Sequence, residues 1–242
     1  MIHADETIDS TERTPEQAPG ALRDDLRYIV IEGVIGAGKT SLARLLAQRF
    51  NGQLVLEEFN QNPFLERFYE DRKRWAFHTQ LSFLASRFRQ QKSLLERDLF
   101  HQVVISDYIF DKDRIFAHLN LQDDELQLYE TLFNQMQVVT PSPDLVVYLQ
   151  SNTERLMKNI DERQRSYEAR MSRGYIESLN EAYNFYFFRF TRCPLLIIKA
   201  THIDFVNNPA HLDELARVIA TLNHPGTTYF TPAGASDADS RF

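Results

Sequence analysis

Short apolar runs alternate with longer segments in which apolar residues recur every three or four positions. The short runs, Tyr28 to Glu32, Leu54 to Glu57, Val103 to Asp107, Leu145 to Gln150 and Leu195 to Lys199, have the length of buried strands. Between them, Lys39 to Phe50, Phe64 to Arg97, Asp123 to Gln137, Thr153 to Ile160 and Tyr175 to Arg192 carry the helical spacing. Strands alternating with helices predict an α/β fold, with a central parallel sheet of about five strands covered on both faces. Ligands of such sheets lie at the carboxyl ends of the strands.

Both ends of the chain lack this periodicity. Residues 1–25 are polar and acidic, with Pro15, Pro19 and Gly20, and residues 224–242 are rich in Gly, Pro, Ser and Thr. Neither predicts enough buried surface to order itself, so one domain is expected over 26–223, between an acidic N-terminal tail and a flexible C-terminal tail. The chain has 242 residues, 43% hydrophobic and 25% charged, with no internal repeat.

A net charge of -7 argues against a general nucleic-acid binder. The basic clusters Arg72-Lys73-Arg74 and Arg163-Gln164-Arg165 are short, and taken alone read as solvated faces. No apolar run approaches the roughly 20 residues of a membrane span, and the first residues have no signal-peptide pattern. The expectation is a cytoplasmic protein without a membrane partner. Cys193, the one cysteine, has no internal disulfide partner and is expected to be a small buried residue; the seven histidines show no zinc spacing.

The strongest chemical signal is Gly33-Val34-Ile35-Gly36-Ala37-Gly38-Lys39-Thr40, between a strand and an amphipathic helix. The glycines leave backbone N–H groups open to phosphate, and the helix N-terminus adds partial positive charge. Lys39 reaches the β and γ phosphates, and Thr40 offers its hydroxyl to magnesium. A helix cap is the bland alternative, but the flanking strand and helix are the context the motif requires. A nucleoside triphosphate is therefore expected. Asp-x-x-Gly and Asn-Lys-x-Asp strings, expected of a regulatory GTPase, do not occur.

The second strand ends in Glu57-Glu58, where a carboxylate beside the loop could accept a proton from an attacking hydroxyl. In the next long helix, Phe77, Leu81, Leu84 and Phe88 form an apolar stripe, flanked by Gln80 and Arg87, two turns apart on one face. Amide and guanidinium suit the edge of a nucleobase, although on spacing alone they read equally as boundary side chains. Asp107 ends the third strand, where a carboxylate can hold magnesium.

Glu57-Glu58-Phe-Asn-Gln-Asn-Pro63-Phe-Leu-Glu-Arg-Phe-Tyr69 resembles the deoxynucleoside kinase family. So do Trp75-Ala-Phe-His-Thr-Gln80-Leu-Ser-Phe-Leu-Ala-Ser86-Arg87-Phe-Arg89, Pro143-Asp-Leu-Val-Val-Tyr148-Leu, Glu162-Arg163-Gln-Arg165-Ser-Tyr-Glu168 and Tyr175-Ile-Glu-Ser-Leu, in the family's order. The set is most similar to bacterial deoxyadenosine and deoxyguanosine kinases. The resemblance implies a P-loop kinase fold with an arginine-bearing lid, and transfer of the γ-phosphoryl of ATP, with Mg2+, to the 5'-hydroxyl of a deoxynucleoside, purine preferred, in nucleotide salvage. It implies Glu57 as the base, with Glu58 as a neighbouring competitor, and Gln80 and Arg87 as base readers. Tyr69 and Glu168 would hold the sugar 3'-hydroxyl, and Arg163 and Arg165 would close as the lid, with Lys158 assisting. A homodimer is also implied, for which Tyr183 to Phe188 could face either core or partner.

The chain departs from the family where Tyr108, and not arginine, follows Asp107. Lys112 or Arg114 is the candidate replacement. A base-reading aspartate is expected nearby, and the register leaves Asp111 and Asp113 open, one of them a candidate helix N-cap. The alternatives are a nucleoside monophosphate kinase such as a thymidylate kinase-like enzyme, which would need extra arginines such as Arg67 and Arg72 at the acceptor, and a non-catalytic nucleotide-binding subunit.

Overall fold

In a computed structural model, described for residues 22–94, 103–165, 168 and 171–232, six strands form one parallel sheet. The strands are β1 (Tyr28–Gly33), β2 (Gln53–Val55), β3 (Val104–Ser106), β4 (Leu145–Gln150), β5 (Leu195–Lys199) and β6 (Thr227–Phe230). Their order across the sheet is β2-β3-β1-β4-β5-β6. All six residues of β1 are buried, as are the first five of β4, because helices cover both faces. The chain moves from β1 to one side through β2 and β3, and to the other through β4 and β5. The crevice at the carboxyl end of β1 therefore lies where the strand order reverses.

Helix α1 (Lys39–Arg49) follows β1 and buries Leu42, Ala43, Leu46 and Ala47 against the sheet. Each leucine so buried contributes about 1.5–3 kcal/mol. The expected helix from Phe64 is two helices, α2 (Leu65–Glu70) and α3 (Arg72–Ser93), and residues 95–97 of that expectation lie outside the described residues. Asp71 makes the break: its backbone leaves the helical region and its carboxylate accepts the Arg74 N–H at 3.2 Å, capping α3. Helices α4 (Lys112–Asn120), α5 (Asp123–Gln137), α6 (Thr153–Arg163) and α7 (Arg173–Phe187) follow. Below α3, α4 and α5, a second core of Leu84, Phe110, Ala117, Tyr129 and Phe133 packs apart from the main one.

Four further details go beyond or correct the sequence reading. The sheet expected with about five strands has six, and the sixth, β6, lies within the segment expected as a C-terminal tail. It pairs Leu195 with Thr227 through Ile198 with Phe230. As a half-exposed edge strand flanked by Gly and Pro, it lacks the apolar run that marked the others. Residues 1–21 and 233–242 of the two expected tails lie outside the described residues. A helix unmarked in the sequence reading, α8 (Pro209–Thr221), buries Leu215, Ala216, Ile219 and Ala220. Its signal was present in Asn208-Pro209, an N-cap followed by proline at the first helical position. Finally, β2 ends at Val55 and not Glu57, and Cys193 is half-buried.

Candidate functional site

The loop after β1 turns at Gly36 and Gly38, both with φ +90°. The Asn159 amide on α6 donates to the Gly36 carbonyl at 2.7 Å, which fastens the loop to the neighbouring helix. Lys39 Nζ donates back across the loop to the Val34 carbonyl at 3.1 Å. Burial and the nearby Lys112 charge bring the Lys39 ammonium down to about 8, against the pull of Glu32, Glu57 and Asp107. A phosphate beside it would restore its charge.

Asp107, one residue beyond β3, joins the two sides of the crevice. Its Oδ2 accepts the Thr40 hydroxyl proton, and its Oδ1 accepts the Glu57 N–H at 2.8 Å. That second bond is why β2 stops at Val55: the Glu57 amide is taken by a side chain and not by the ladder. The two residues expected at magnesium thus stand together, and a hydroxyl with one carboxylate is the hard oxygen set that magnesium shares with phosphate oxygens. The fit is to a phosphate-borne ion, because no group of three or more His, Cys, Asp or Glu could hold a metal among the described residues.

The Glu57 carboxylate lies between two cations. Arg87 Nε donates to Oε1 at 3.0 Å, and Lys112 Nζ lies 2.5 Å from Oε2. Burial alone would raise this carboxyl, but Lys112 and Arg87 outweigh it and hold the group well below the usual carboxylate range.

Gln80 and Arg87 meet on one aspartate. Gln80 Nε2 donates to the Asp113 carbonyl at 2.7 Å and to its Oδ1 at 2.9 Å, and Arg87 Nη1 pairs with the same oxygen. Tyr129 of the second core donates to Oδ2 at 2.9 Å. Burial pushes the Asp113 carboxyl up to about 6, against Arg87 and Tyr129. Of the two aspartates left open by the sequence, Asp113 is the one that meets Gln80 and Arg87, since Asp111 faces away and accepts from Gln137 at 2.8 Å and Arg192 at 2.5 Å. Arg114 also turns away, donating to Glu130 at 2.7 Å, so of the two candidates Lys112 is the cation beside Glu57. The buried face of α3 runs through Gln80, Leu84 and Arg87, while Phe77, Leu81 and Phe88 of the expected stripe are half-buried.

Glu168 is 4% exposed, and both Arg163 nitrogens lie 2.5 Å from its oxygens. Arg165 sits 3.5 Å from Glu168 and 4.4 Å from the centre of the Phe59 ring. These three residues and Tyr69 line the same cleft as Lys39, Thr40, Glu57, Gln80, Arg87 and Asp107. Glu57, Arg163, Arg165, Tyr69, Gln80, Arg87, Glu168, Thr40 and Asp107, the side chains expected to catalyse, to bind the acceptor or to hold magnesium, therefore border one cavity, whereas the candidate base-reading aspartates do not.

Three features escaped the sequence reading. Glu32, fully buried at the end of β1, accepts the Gly33 N–H at 2.9 Å and the Ile109 N–H at 3.0 Å, tying the loop to the segment that carries Lys112 and Asp113. Its burial pushes the carboxyl up, opposed by Lys112 and Lys39. A second cavity opens on the other side of the loop, between Gly36 to Gly38, Arg155 and the Ile203–Asp204–Phe205 turn. Lys158 borders this second cavity and not the acceptor cleft.

The family profile described as Deoxynucleoside kinase matches residues 29–224. A deoxyadenosine/deoxycytidine kinase of Bacillus subtilis (strain 168) is 33% identical over 204 residues, covering 81% of this chain and 93% of its own. A deoxyguanosine kinase of the same organism is 30% identical, covering 81% and 97%. Among solved structures, the deoxyadenosine kinase from M. mycoides with products dCMP and a flexible dCDP superimposes with a TM-score of 0.71 at 25% identity, over 81% of this chain and all of that one.

At Gly36 a Cβ would stand 2.5 Å from the Leu156 carbonyl oxygen, in a backbone conformation already unfavourable to side chains. Gly36→Ala is expected to weaken nucleoside triphosphate binding at least ~10-fold through about 1–3 kcal/mol of strain. Calorimetric titration checks this; unchanged affinity would separate the loop from the triphosphate.

Proposed function

The chain belongs to the deoxynucleoside kinase family and is an ATP-dependent kinase of deoxynucleosides, and we propose that its preferred acceptor is the 5'-hydroxyl of a purine deoxynucleoside held in the cleft between the Gly33–Thr40 loop and α3. The purine preference is supported by the relatives named deoxyadenosine kinase or deoxyguanosine kinase, although the Bacillus subtilis deoxyadenosine/deoxycytidine kinase also takes a pyrimidine. The observation that carries the reading is the Glu57 carboxylate, which shares one cleft with Lys39 and Thr40 on the donor side and with Gln80 and Arg87 on the acceptor side.

The nucleoside base would lie against Gln80 and Arg87, whose mutual anchor, Asp113, fixes them before the base arrives. Its sugar would reach Tyr69 and Glu168. The adenosine part of ATP would occupy the second cavity, with its phosphates on the backbone N–H groups of the loop and on Lys39. Thr40 and Asp107 would hold Mg2+, which neutralises charge on the β and γ phosphates. The 5'-oxygen then forms its bond to the γ-phosphorus while its proton passes to Glu57. The bond from that phosphorus to the bridging oxygen breaks, and its electron pair leaves on ADP. Arg163 and Arg165 stabilise the charge in flight, moving from Glu168, where they rest in this structure.

A monophosphate kinase is less well supported. Arg67 and Arg72, the arginines such an enzyme would turn to the acceptor phosphate, stack on Trp75 at 4.9 Å and on Tyr175 at 3.9 Å, and neither borders the cleft. A phosphate at the sugar position would also meet the Glu168 carboxylate. A non-catalytic subunit would have no need of the full set of cleft residues. We place the reaction in the cytoplasm; no helix among the described residues is long and apolar enough to cross a membrane.

We also propose a homodimer through α7. Tyr183 and Phe187 are fully buried, whereas Phe185 and Phe188, three positions apart on another face, are 63% and 52% exposed. A second copy presenting the same two rings would cover them. Sedimentation should show a dimer that Phe185→Asp with Phe188→Asp converts to a monomer; a wild-type monomer at all concentrations would reject it.

A radiolabel transfer assay with a panel of deoxynucleosides is expected to favour deoxyadenosine and deoxyguanosine over thymidine, and turnover of none would refute the acceptor class. Glu57→Gln should lower kcat by about 100-fold or more while ATP binding is retained. Because Asp113 carries a charge only above about 6, deoxyadenosine affinity measured without ATP should fall as pH drops through that value and be level above pH 7. Asp113→Asn should remove the pH dependence; an unchanged profile would show that Asp113 does not organise the base site.

A further inference from the structure

Lys112 is placed against local preference. It is the first residue of α4, at the positive end of the helix macrodipole, and it is 5% exposed. A lysine so placed gives up hydration without help from its own helix. What holds it is Glu57, 2.5 Å away.

The two cations on Glu57 are not equivalent. Arg87 is pinned between Glu57 and Asp113, and its planar fork uses separate nitrogens on each. The Lys112 ammonium is a point charge on a flexible stem, and its ion pair among the described residues is with Glu57. It borders the cleft together with Lys39 and Thr40, and its charge is felt by both Lys39 and Glu32. Lys112 therefore touches the carboxylate that takes the proton and shares the cleft with the lysine that meets the γ-phosphate.

We propose that Lys112 is a catalytic cation, which holds the Glu57 carboxylate toward the incoming 5'-hydroxyl and, as the proton neutralises Glu57, lends its charge to the transferring γ-phosphoryl. This rests on the kinase reading above. No proton leaves Lys112: the hydroxyl proton goes to Glu57, the new bond joins the 5'-oxygen to phosphorus, and the displaced electron pair leaves on ADP. The ammonium loses its ionic partner at the moment when charge spreads over the phosphoryl oxygens.

Steady-state kinetics with ATP and deoxyadenosine tests it on Lys112→Gln, Lys112→Met and Lys112→Arg. Lys112→Gln keeps an N–H donor for Glu57 and removes the charge; Lys112→Met removes both. Both are expected to lower kcat ~100- to 1000-fold, the effect of deleting one charge-stabilising donor, with KM for deoxyadenosine altered less than about threefold and ATP binding retained. Lys112→Arg, a cation at the same place, should recover kcat to within about tenfold of wild type. Wild-type kcat in Lys112→Gln, a loss confined to KM, or Lys112→Arg as impaired as Lys112→Met would each overturn the proposal. So would failure of Lys112→Gln to fold, since the ammonium would then be a structural ion. A wild-type chain that phosphorylates no deoxynucleoside would instead remove the acceptor reading.

Discussion

The Asp107 carboxylate is the joint on which the site depends. One oxygen takes the Thr40 hydroxyl from the phosphate-binding loop, and the other takes the Glu57 backbone N–H from the end of β2. The segments that leave β1 and β2, the two strands flanking β3, are thereby joined beyond where the sheet's own ladder stops. Glu32 ties the same halves from beneath, through Gly33 and Ile109. Donor and acceptor sides are thus spaced by buried hydrogen bonds to charged groups, each contributing about 1.5–3 kcal/mol, and not by loop packing alone.

Above that joint the polar groups balance. Glu57 and Asp113 contribute two negative charges, and Arg87 and Lys112 two positive ones, all within a chain of contacts shielded from solvent. Such a cluster tolerates removal of one member badly, because breaking a buried pair leaves an uncompensated charge at a cost of about 3–5 kcal/mol. Tyr129 anchors the far end of the chain of contacts to the second core, so the stacked Tyr129 and Phe133 help set where Asp113, and with it Gln80 and Arg87, stand. The packing of α3, α4 and α5 is in this sense part of the acceptor site.

Around the cleft the charges satisfy one another. Arg163 and Arg165 rest on Glu168, Lys39 on a loop carbonyl, and Lys112 on Glu57. These pairings offset part of the desolvation cost of holding so many charges in one cleft.

Local pattern determined much of this protein. The buried strands announced themselves as apolar runs, and the loop from Gly33 to Thr40 announced phosphate because its chemistry is contiguous in the chain. Glu57, Gln80 and Arg87 were legible as candidates because position and spacing put them at a strand end or on one helix face, whereas Glu168 was legible from family resemblance alone. Only the tertiary structure could decide what depends on pairing across distance. It chose Asp113 over Asp111 and Lys112 over Arg114, because side chains one or two positions apart on a helix diverge by about 100° per residue and meet different neighbours. It added β6, whose burial comes from β5 and not from its own hydrophobicity, and it ended β2 early, because a carboxylate 50 positions away takes the Glu57 amide.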